Sequence, residues 1–480
     1  MAADLADVCG YGLLAAAPAP SFLLRRPGIS ADVQRAAVPA ATVPAIAVDA
    51  EGEASTPKVW PADSRASSSG MVCMTYNVLL PNSQDGWWIY KYYRDNGPHT
   101  SWPARQALLE KQILHCQPDV LCLQEVSEPS FSSDFAFLPA AGYEAVLHDK
   151  KGRMRPATFW RSSEWEKVSV QHKDRTLVVT LRKLGGQNAG KTVFVVNVHL
   201  SAGPNADRRL RQVQEALDAV SKEAKKLQLE DSAVLVCGDF NSQGNSAVRE
   251  LLLKGVVNAD FRESGDPTEK GQEGRQVTSK TRQQKLGEFQ DALDVAFAGR
   301  APATIIAQKV DDLMLYEDGT PTPALLEAVD NAFMSCSNGR DFMNSEDIDR
   351  FLLKINRELG RGSEHRFVEA AVEGKGERRL SREDFQALYA AELAEGKFWG
   401  VEHDLRELLG SGLCKPQQGP CQLRFDYIYF TSSTLRLTGV QEPLTKAQKL
   451  RIFAEPWEVL PNSWHPSDHL PVVAAFDFAS

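Results

Sequence analysis

The stretch VLVCGDFNSQG, residues 234–244, decides how this chain is read. Val234 to Cys237 form an unbroken apolar run, the pattern of a buried strand, and Gly238 lets the chain leave it closely and sharply. Asp239 and Asn241 follow. Side chains at i and i+2 of an extended chain share a face, so this spacing predicts that both aim at one point. A carboxylate beside a carboxamide suits a hard cation or a phosphate-bound water. The same pair also marks an ordinary turn leaving a sheet. The rest of the chain has to decide between the two.

Outward from this stretch, apolar runs alternate with amphipathic ones. MVCMTYNVLLP (71–81), DVLCLQEV (119–126), TVFVVNVHL (192–200), RFDYIYFT (424–431) and HPSDHLPVVAAFDF (465–478) read as strands or strand ends. RQALLEKQILHC (105–116) and RRLRQVQEALDAVSKEAKKL (208–227) carry apolar residues at helical spacing. Each strand delivers a polar group near its end: Asn77, Glu125, His199, Asp239, Asn241, Asp426, Asp468 and His469. Taken singly, each has a plain reading as a solvated glutamate, a satisfied core histidine or a turn. Together they predict an α/β chain with one site assembled from distant segments.

With 480 residues the chain has length for one large core plus additions. Eight cysteines are too few for a disulfide framework, and Cys73, Cys122 and Cys237 sit inside apolar runs, which favours a reducing compartment. No apolar run reaches the ~18 residues of a membrane span. The net charge is −9, and residues 301–410, with 13 Lys and Arg against 22 Asp and Glu, carry all of it. No polybasic tract announces a nucleic-acid surface, so phosphate affinity has to come from local cations or a metal. Four segments are expected: an Ala/Pro/Ser-rich disordered tail (1–68), the first part of the α/β fold (69–304), an acidic helical insert (305–410) and the last part of the fold (411–480). Ser345 and the pair Ser381 and Asp384 are expected to cap helices within the insert.

The motifs MTYNVL, PDVLCLQEV, VNVHL, CGDFNS, FDYIYF and PSDHLPV, in this order, resemble the endonuclease/exonuclease/phosphatase superfamily, and within it the deadenylase and nocturnin branch. The resemblance implies a four-layer α/β/β/α sandwich with two mixed sheets and hydrolysis of phosphate esters with Mg²⁺, Mn²⁺ serving as a substitute. It implies Glu125 as principal metal ligand, with Asn77 and Asp468 beside it. Asp239 would orient the attacking water, Asn241 steady it, and His199 contact the phosphate. His469 would stabilise developing charge, with Asp426 as its orienting partner. Nocturnin-like proteins carry basic residues after the His-Leu pair; here Ser201 and Gly203 stand there, and Arg208, Arg209 and Arg211 either partly replace that charge or form a solvated helix start, with Arg208 and Arg211 taken as the substrate-binding candidates.

The insert resembles plant and protist members described as calcium-binding, with a degenerate pair of EF-hand-like units. A working loop needs oxygen ligands at positions 1, 3, 5 and 12 and Gly at 6. Arg340 and Arg378 fall at the sixth position of the two loops and Lys375 at the third of the second, so Ca²⁺ is not expected to bind. The expected function is that of a metal-dependent 3′-directed ribonuclease of deadenylase type in the cytoplasm, with RNA or a nucleotide as substrate and no membrane contact. Protein partners would use the acidic insert. The alternatives are a phosphatase or phosphodiesterase for a small nucleotide or phosphorylated metabolite, and a non-catalytic scaffold. The aromatic run DGWWIYKYYRDN (85–96) offers either base-stacking rings or a packing cluster.

Overall fold

In the computed structural model Ala233–Asp239 is a strand whose side chains serve two cores. Ala233, Leu235 and Cys237 join one cluster, Val234 and Val236 another. A strand covered on both faces belongs inside a layered fold. The structure describes residues 56–480 except 69, 93–96, 204, 230–231, 264–275, 312, 317–318, 374–376, 418, 455–459 and 480. They divide into two compact units, one of residues 88–96 with 308–420, the other of the remainder.

Along the larger unit run β1 (Lys58–Trp60), β2 (Met71–Asn77), β3 (Val120–Val126), β4 (Tyr143–Leu147), β5 (Arg155–Arg161), β6 (Trp165–Lys173) and β7 (Thr176–Lys183). Then come β8 (Thr192–His199), β9 (Ala233–Asp239), β10 (Phe289–Asp291), β11 (Asp426–Thr431), β12 (Leu435–Gln441) and β13 (Val472–Phe478). A seven-stranded sheet has the order β1-β12-β13-β2-β3-β5-β4, and a six-stranded sheet the order β10-β11-β9-β8-β7-β6. Both are mixed: β2 and β3 are parallel, as are β8 and β9, among antiparallel neighbours.

Cys73, Cys122, Val195 and Cys237 help fill the space between the sheets. Helix α1 (Trp102–Cys116) covers the outer face of the first sheet with Leu109 and Ile113. Helices α2 (Ala206–Lys226) and α3 (Ala247–Lys254) cover that of the second with Val213, Leu217, Val220 and Leu251. The result is the four-layer α/β/β/α sandwich. Inside it, Asn197 of β8 crosses between sheets, donating to the carbonyls of Leu123 at 3.2 Å and Ala157 at 2.9 Å. Composition places the end of the tail too late. Lys58–Trp60 already pairs with β12, because Trp60 packs against the core beneath it. Residues 1–55 of the tail lie outside the described residues.

The smaller unit contains α4 (Pro323–Cys336), α5 (Ser345–Asn356), α6 (Gly362–Val372), α7 (Arg382–Ala394) and α8 (Phe398–Leu409). The first four form two helix–loop–helix pairs, joined where Phe342–Met343 and Leu380–Ser381 bond antiparallel. Ser381 and Asp384 form the expected capping box, whereas α5 is capped by Asn344 rather than Ser345, with Asp347 closing the box. The sequence texture places 88–96 in the α/β fold, but this segment belongs to the helical unit. The Tyr90 hydroxyl donates to the Ile355 carbonyl at 2.8 Å, and Lys91 Nζ lies 2.7 Å from Glu364 and 3.2 Å from Asp404. Tyr90 is therefore a packing residue; the side chains of Tyr92 and Tyr93 lie outside the description. Among the described residues no helix is long and apolar enough to cross a membrane.

Candidate active site

Each polar side chain arrives by the way its strand ends. The alternation that sends Leu235 and Cys237 between the sheets carries Asp239 to the same side. Parallel register puts His199 of β8 beside Asp239, and antiparallel register puts Asp426 of β11 on its other side. Gly238 permits the close spacing: its φ is +139°, and a Cβ there would stand 2.0 Å from the Val198 carbonyl oxygen. Glu125 needs a different device, because alternation would point it away from the side taken by Gln124. The pairing of β3 with β5 shifts register between Leu123 and Val126, and Glu125 adopts φ 62°. Such a bulge re-aims a side chain at a local conformational cost.

Asn77 Nδ2 then donates to Glu125 Oε1 at 3.1 Å and to Asp239 Oδ2 at 3.0 Å. The Leu80 N–H donates to Glu125 Oε2 at 3.1 Å. His199 Nε2 lies 3.8 Å from both Glu125 Oε1 and Asp239 Oδ2. His469 Nε2 lies 3.9 Å from Asp239 Oδ2, and its Nδ1–H donates to Asp426 Oδ2 at 2.8 Å. Thr304 Oγ1 accepts the Asp426 N–H at 3.1 Å, and Ser467 Oγ donates to the Asn77 carbonyl at 2.7 Å and accepts the His469 N–H at 3.2 Å.

Asp239 and Asn241 do come together, but by a turn rather than by sharing a strand face. The strand stops at Asp239, Asn241 turns to φ 47°, and its N–H donates to Asp239 Oδ1 at 2.8 Å. Its amide donates to the Leu200 carbonyl at 3.0 Å. Asp/Asn turn chemistry and site chemistry are thus the same feature.

Burial raises the Asp239 carboxyl to about 7; His469 opposes the shift and Asp426 adds to it. Burial and then Asp468 raise Glu125. Burial, with the charges of Arg175 and Lys150, keeps His199 neutral well below its usual range. Burial works against a charged His469 too, but Asp426, Asp468 and Asp239 outweigh it and hold the imidazolium well above the usual range.

Arg208 and Arg211 each have an acidic neighbour. Arg208 is held by Asp174 at 3.3 Å, and Arg211 lies 3.9 Å from Glu215 on the same helix. Arg175 and Lys150 act on the cluster, with burial lowering the Lys150 ammonium to about 7, and no motif in the sequence marks either of them. Arg175 occupies the two-residue turn between β6 and β7, and its carbonyl accepts the His199 N–H at 3.0 Å. The tight hairpin spacing was the available signal. Elsewhere, ligand atoms of His148, Asp149 and His172 lie within 4.8 Å of one another. His148 is committed to structure there, since its ring nitrogens bond the Lys150 N–H at 2.9 Å and the Lys173 carbonyl at 2.7 Å.

The donor set fits a hard divalent cation. After burial, the charge of Asp468 raises the Glu125 carboxyl, a repulsion that a divalent cation with a preference for oxygen donors would relieve.

A model of the Endonuclease/Exonuclease/phosphatase family matches residues 74–469. Protein angel homolog 2 of Homo sapiens is 27% identical over 207 residues, covering 38% of this chain and 37% of that protein. The CCR4-Not complex 3'-5'-exoribonuclease subunit Ccr4 of Candida albicans is 25% identical over 252 residues, 43% of this chain and 32% of its own length. The chain thus spans well under half the length of these curated relatives. The crystal structure of ANGEL2, a 2',3'-cyclic phosphatase, in complex with adenosine-2',3'-vanadate, aligns with a TM-score of 0.50 at 17% identity, over 85% of this chain and 95% of that one. That likeness concerns the fold. The family match runs from the strand carrying Asn77 to His469 itself, and so, by its motifs and their convergence, the chain belongs to the endonuclease/exonuclease/phosphatase family.

Proposed function

We propose that this chain is a divalent-metal-dependent phosphodiesterase, a 3′-directed ribonuclease of deadenylase type working with Mg²⁺. The observation that carries the reading is the convergence of Glu125, Asn77, Asp239, His199 and the His469–Asp426 pair within hydrogen-bond or ion-pair reach. The relative named as a 3'-5'-exoribonuclease directs the choice of substrate toward RNA.

Glu125 and Asp468 would hold the cation, with Asn77, whose Nδ2 donates to Glu125, helping to orient it. Bound there, it offsets the negative charge of a phosphodiester that otherwise repels a nucleophile. Asp239, raised by its burial, is suited to accept a proton from water and is steadied by the Asn241 N–H. His469 donates to a phosphoryl oxygen as charge develops, while Asp426 fixes its Nδ1 proton and ring orientation. Neutral His199 presents its Nε2 edge at the same place. Arg175 would add positive charge for an anionic substrate, and Lys150, lowered to about 7 by its burial, would add more when protonated. The buried thiols of Cys73, Cys116, Cys122 and Cys237 fit a reducing compartment such as the cytoplasm, and the acidic helical unit is the proposed place for protein partners.

Purified protein with Mg²⁺, offered poly(A), mixed-sequence RNA, single-stranded DNA and nucleotide phosphates, tests the reading. Stepwise shortening of RNA from its 3′ end is expected. Hydrolysis of nucleotide phosphates alone would move the assignment to a small-molecule phosphatase, and no hydrolysis at all would leave a scaffold.

A further inference from the structure

Arg105 is a fully buried guanidinium that no carboxylate approaches within salt-bridge distance among the described residues. Burying such a charge is costly unless all its donors are used. They are used, and almost entirely on backbone. Nε donates to the Pro466 carbonyl at 2.8 Å, and Nη2 to the carbonyls of Val78 at 2.6 Å and Leu79. Nη1 donates to the Leu80 carbonyl at 3.3 Å and Asn82 Oδ1 at 3.2 Å.

The peptides it holds are those that hold the site. The Leu79 N–H donates to Asn77 Oδ1 at 3.0 Å and the Leu80 N–H to Glu125 Oε2 at 3.1 Å. Pro466 precedes Ser467, whose hydroxyl donates to the Asn77 carbonyl and accepts the His469 N–H. One side chain thus fastens the loop after β2 and the loop carrying Asp468 and His469. From these two segments, site contacts run to Asn77, Glu125 and His469.

We propose that Arg105 is a positioning residue for the catalytic reaction: it sets the orientation of Asn77 and Glu125 and the approach of His469 without touching substrate or metal. A planar fork with five N–H donors reaches carbonyls on two separate segments; an ammonium, with three donors on one atom, does not. The assignment rests on the reading that Glu125 and its neighbours hold a divalent cation.

The test compares full-length wild type with Arg105→Lys and Arg105→Ala, measuring Mn²⁺ binding by calorimetry and kcat and KM on oligo(A). Val220→Ala, in the core beneath α2, serves as a stability control. Arg105→Lys is expected to weaken Mn²⁺ binding at least tenfold and lower kcat at least a hundredfold, with KM within threefold of wild type. Millimolar guanidinium should restore at least tenfold of the kcat lost in Arg105→Ala. Val220→Ala should lose melting temperature but neither metal affinity nor kcat, measured below its transition. Wild-type metal affinity and kcat in a folded Arg105→Lys would overturn the assignment, as would equal losses in Val220→Ala. Should neither Arg105 variant fold, Ser467→Ala, which cuts the same stitch one bond further on, must show the selective loss, and wild-type behaviour there overturns the proposal. If wild type itself binds no divalent cation, the functional reading fails as well.

Discussion

Single residues decide whether this site forms, and Gly238 is the strictest of them. Its φ of +139° and the 2.0 Å approach of the Val198 carbonyl to any Cβ leave no room for a side chain. Gly238→Ala is therefore expected to cost about 3 kcal/mol or more and lower the melting temperature by roughly 5 °C or more. Calorimetry checks this, and an unchanged Tm would contradict the packing of β8 against β9. Asp239 gives a pH prediction. Its carboxyl, ordinarily near 3.8, sits at about 7, so in the metal-free protein it is mostly protonated at pH 6 and mostly ionised at pH 8. A cation favours the ionised form, so binding below pH 7 must release this proton. Apparent metal affinity should rise by up to about tenfold per pH unit toward pH 7 and flatten above it. Calorimetry at pH 6 and 8 in two buffers reads both the affinity and the proton release. A flat profile would mean that the cation does not sense Asp239. At this scale the sequence was informative about which residues converge and silent about how. Asp239, His199 and Asp426 follow from strand alternation. Glu125 depends on a bulge, and Arg105 and Thr304 act through backbone groups that carry no pattern in side-chain type.

The elements were legible where period and burial agree. The apolar run of β9 and the helical stripe of α2 each contact a core on the expected face. The Asp239–Asn241 pair shows the limit: strand geometry explains its first member and turn geometry its second, and spacing alone does not separate them. Charge pairing at the helix–loop–helix loops was equally invisible. Arg340 of the first loop pairs with Asp347 of α5, as Arg350 does from the same helix; Arg378 of the second loop reaches Asp349 of α5 at 2.6 Å and Glu369 of α6 at 2.5 Å. Those carboxylates already have cations. Ca²⁺ is therefore expected neither to bind tightly nor to raise the melting temperature of this module. Titration of the full chain carrying Glu125→Ala, which silences the other candidate metal site, measures it. A dissociation constant below about 10 μM, within the sensor range, would contradict the reading.

Over the whole molecule, charge and texture marked the helical unit but not its edges. In the larger unit Ile305–Ala307 pairs with Cys421–Leu423, and in the smaller one Val310–Asp311 pairs with Lys415–Pro416, so the chain changes unit between these ribbons. The early segment 88–96 carries no acidic texture, and its membership depends on Lys91 and Tyr90 finding buried partners far along the chain. Deleting 308–420 behind a Gly/Ser linker should leave a cooperatively melting α/β unit when 88–96 is replaced as well. With 88–96 retained, Lys91 and Tyr90 lose those partners and solubility should fall. Loss of cooperative melting in the double replacement would contradict an independent α/β unit. Whether strand ends from two sheets form one metal-dependent hydrolytic centre is read from 5′-labelled oligo(A) with Mg²⁺, comparing wild type with Glu125→Ala and Asp239→Ala. Wild type is expected to shorten the RNA stepwise from its 3′ end, an activity abolished by chelator, and both variants to be slower by at least about a thousandfold with folded melting profiles. Rates in both folded variants within threefold of wild type would contradict such a centre.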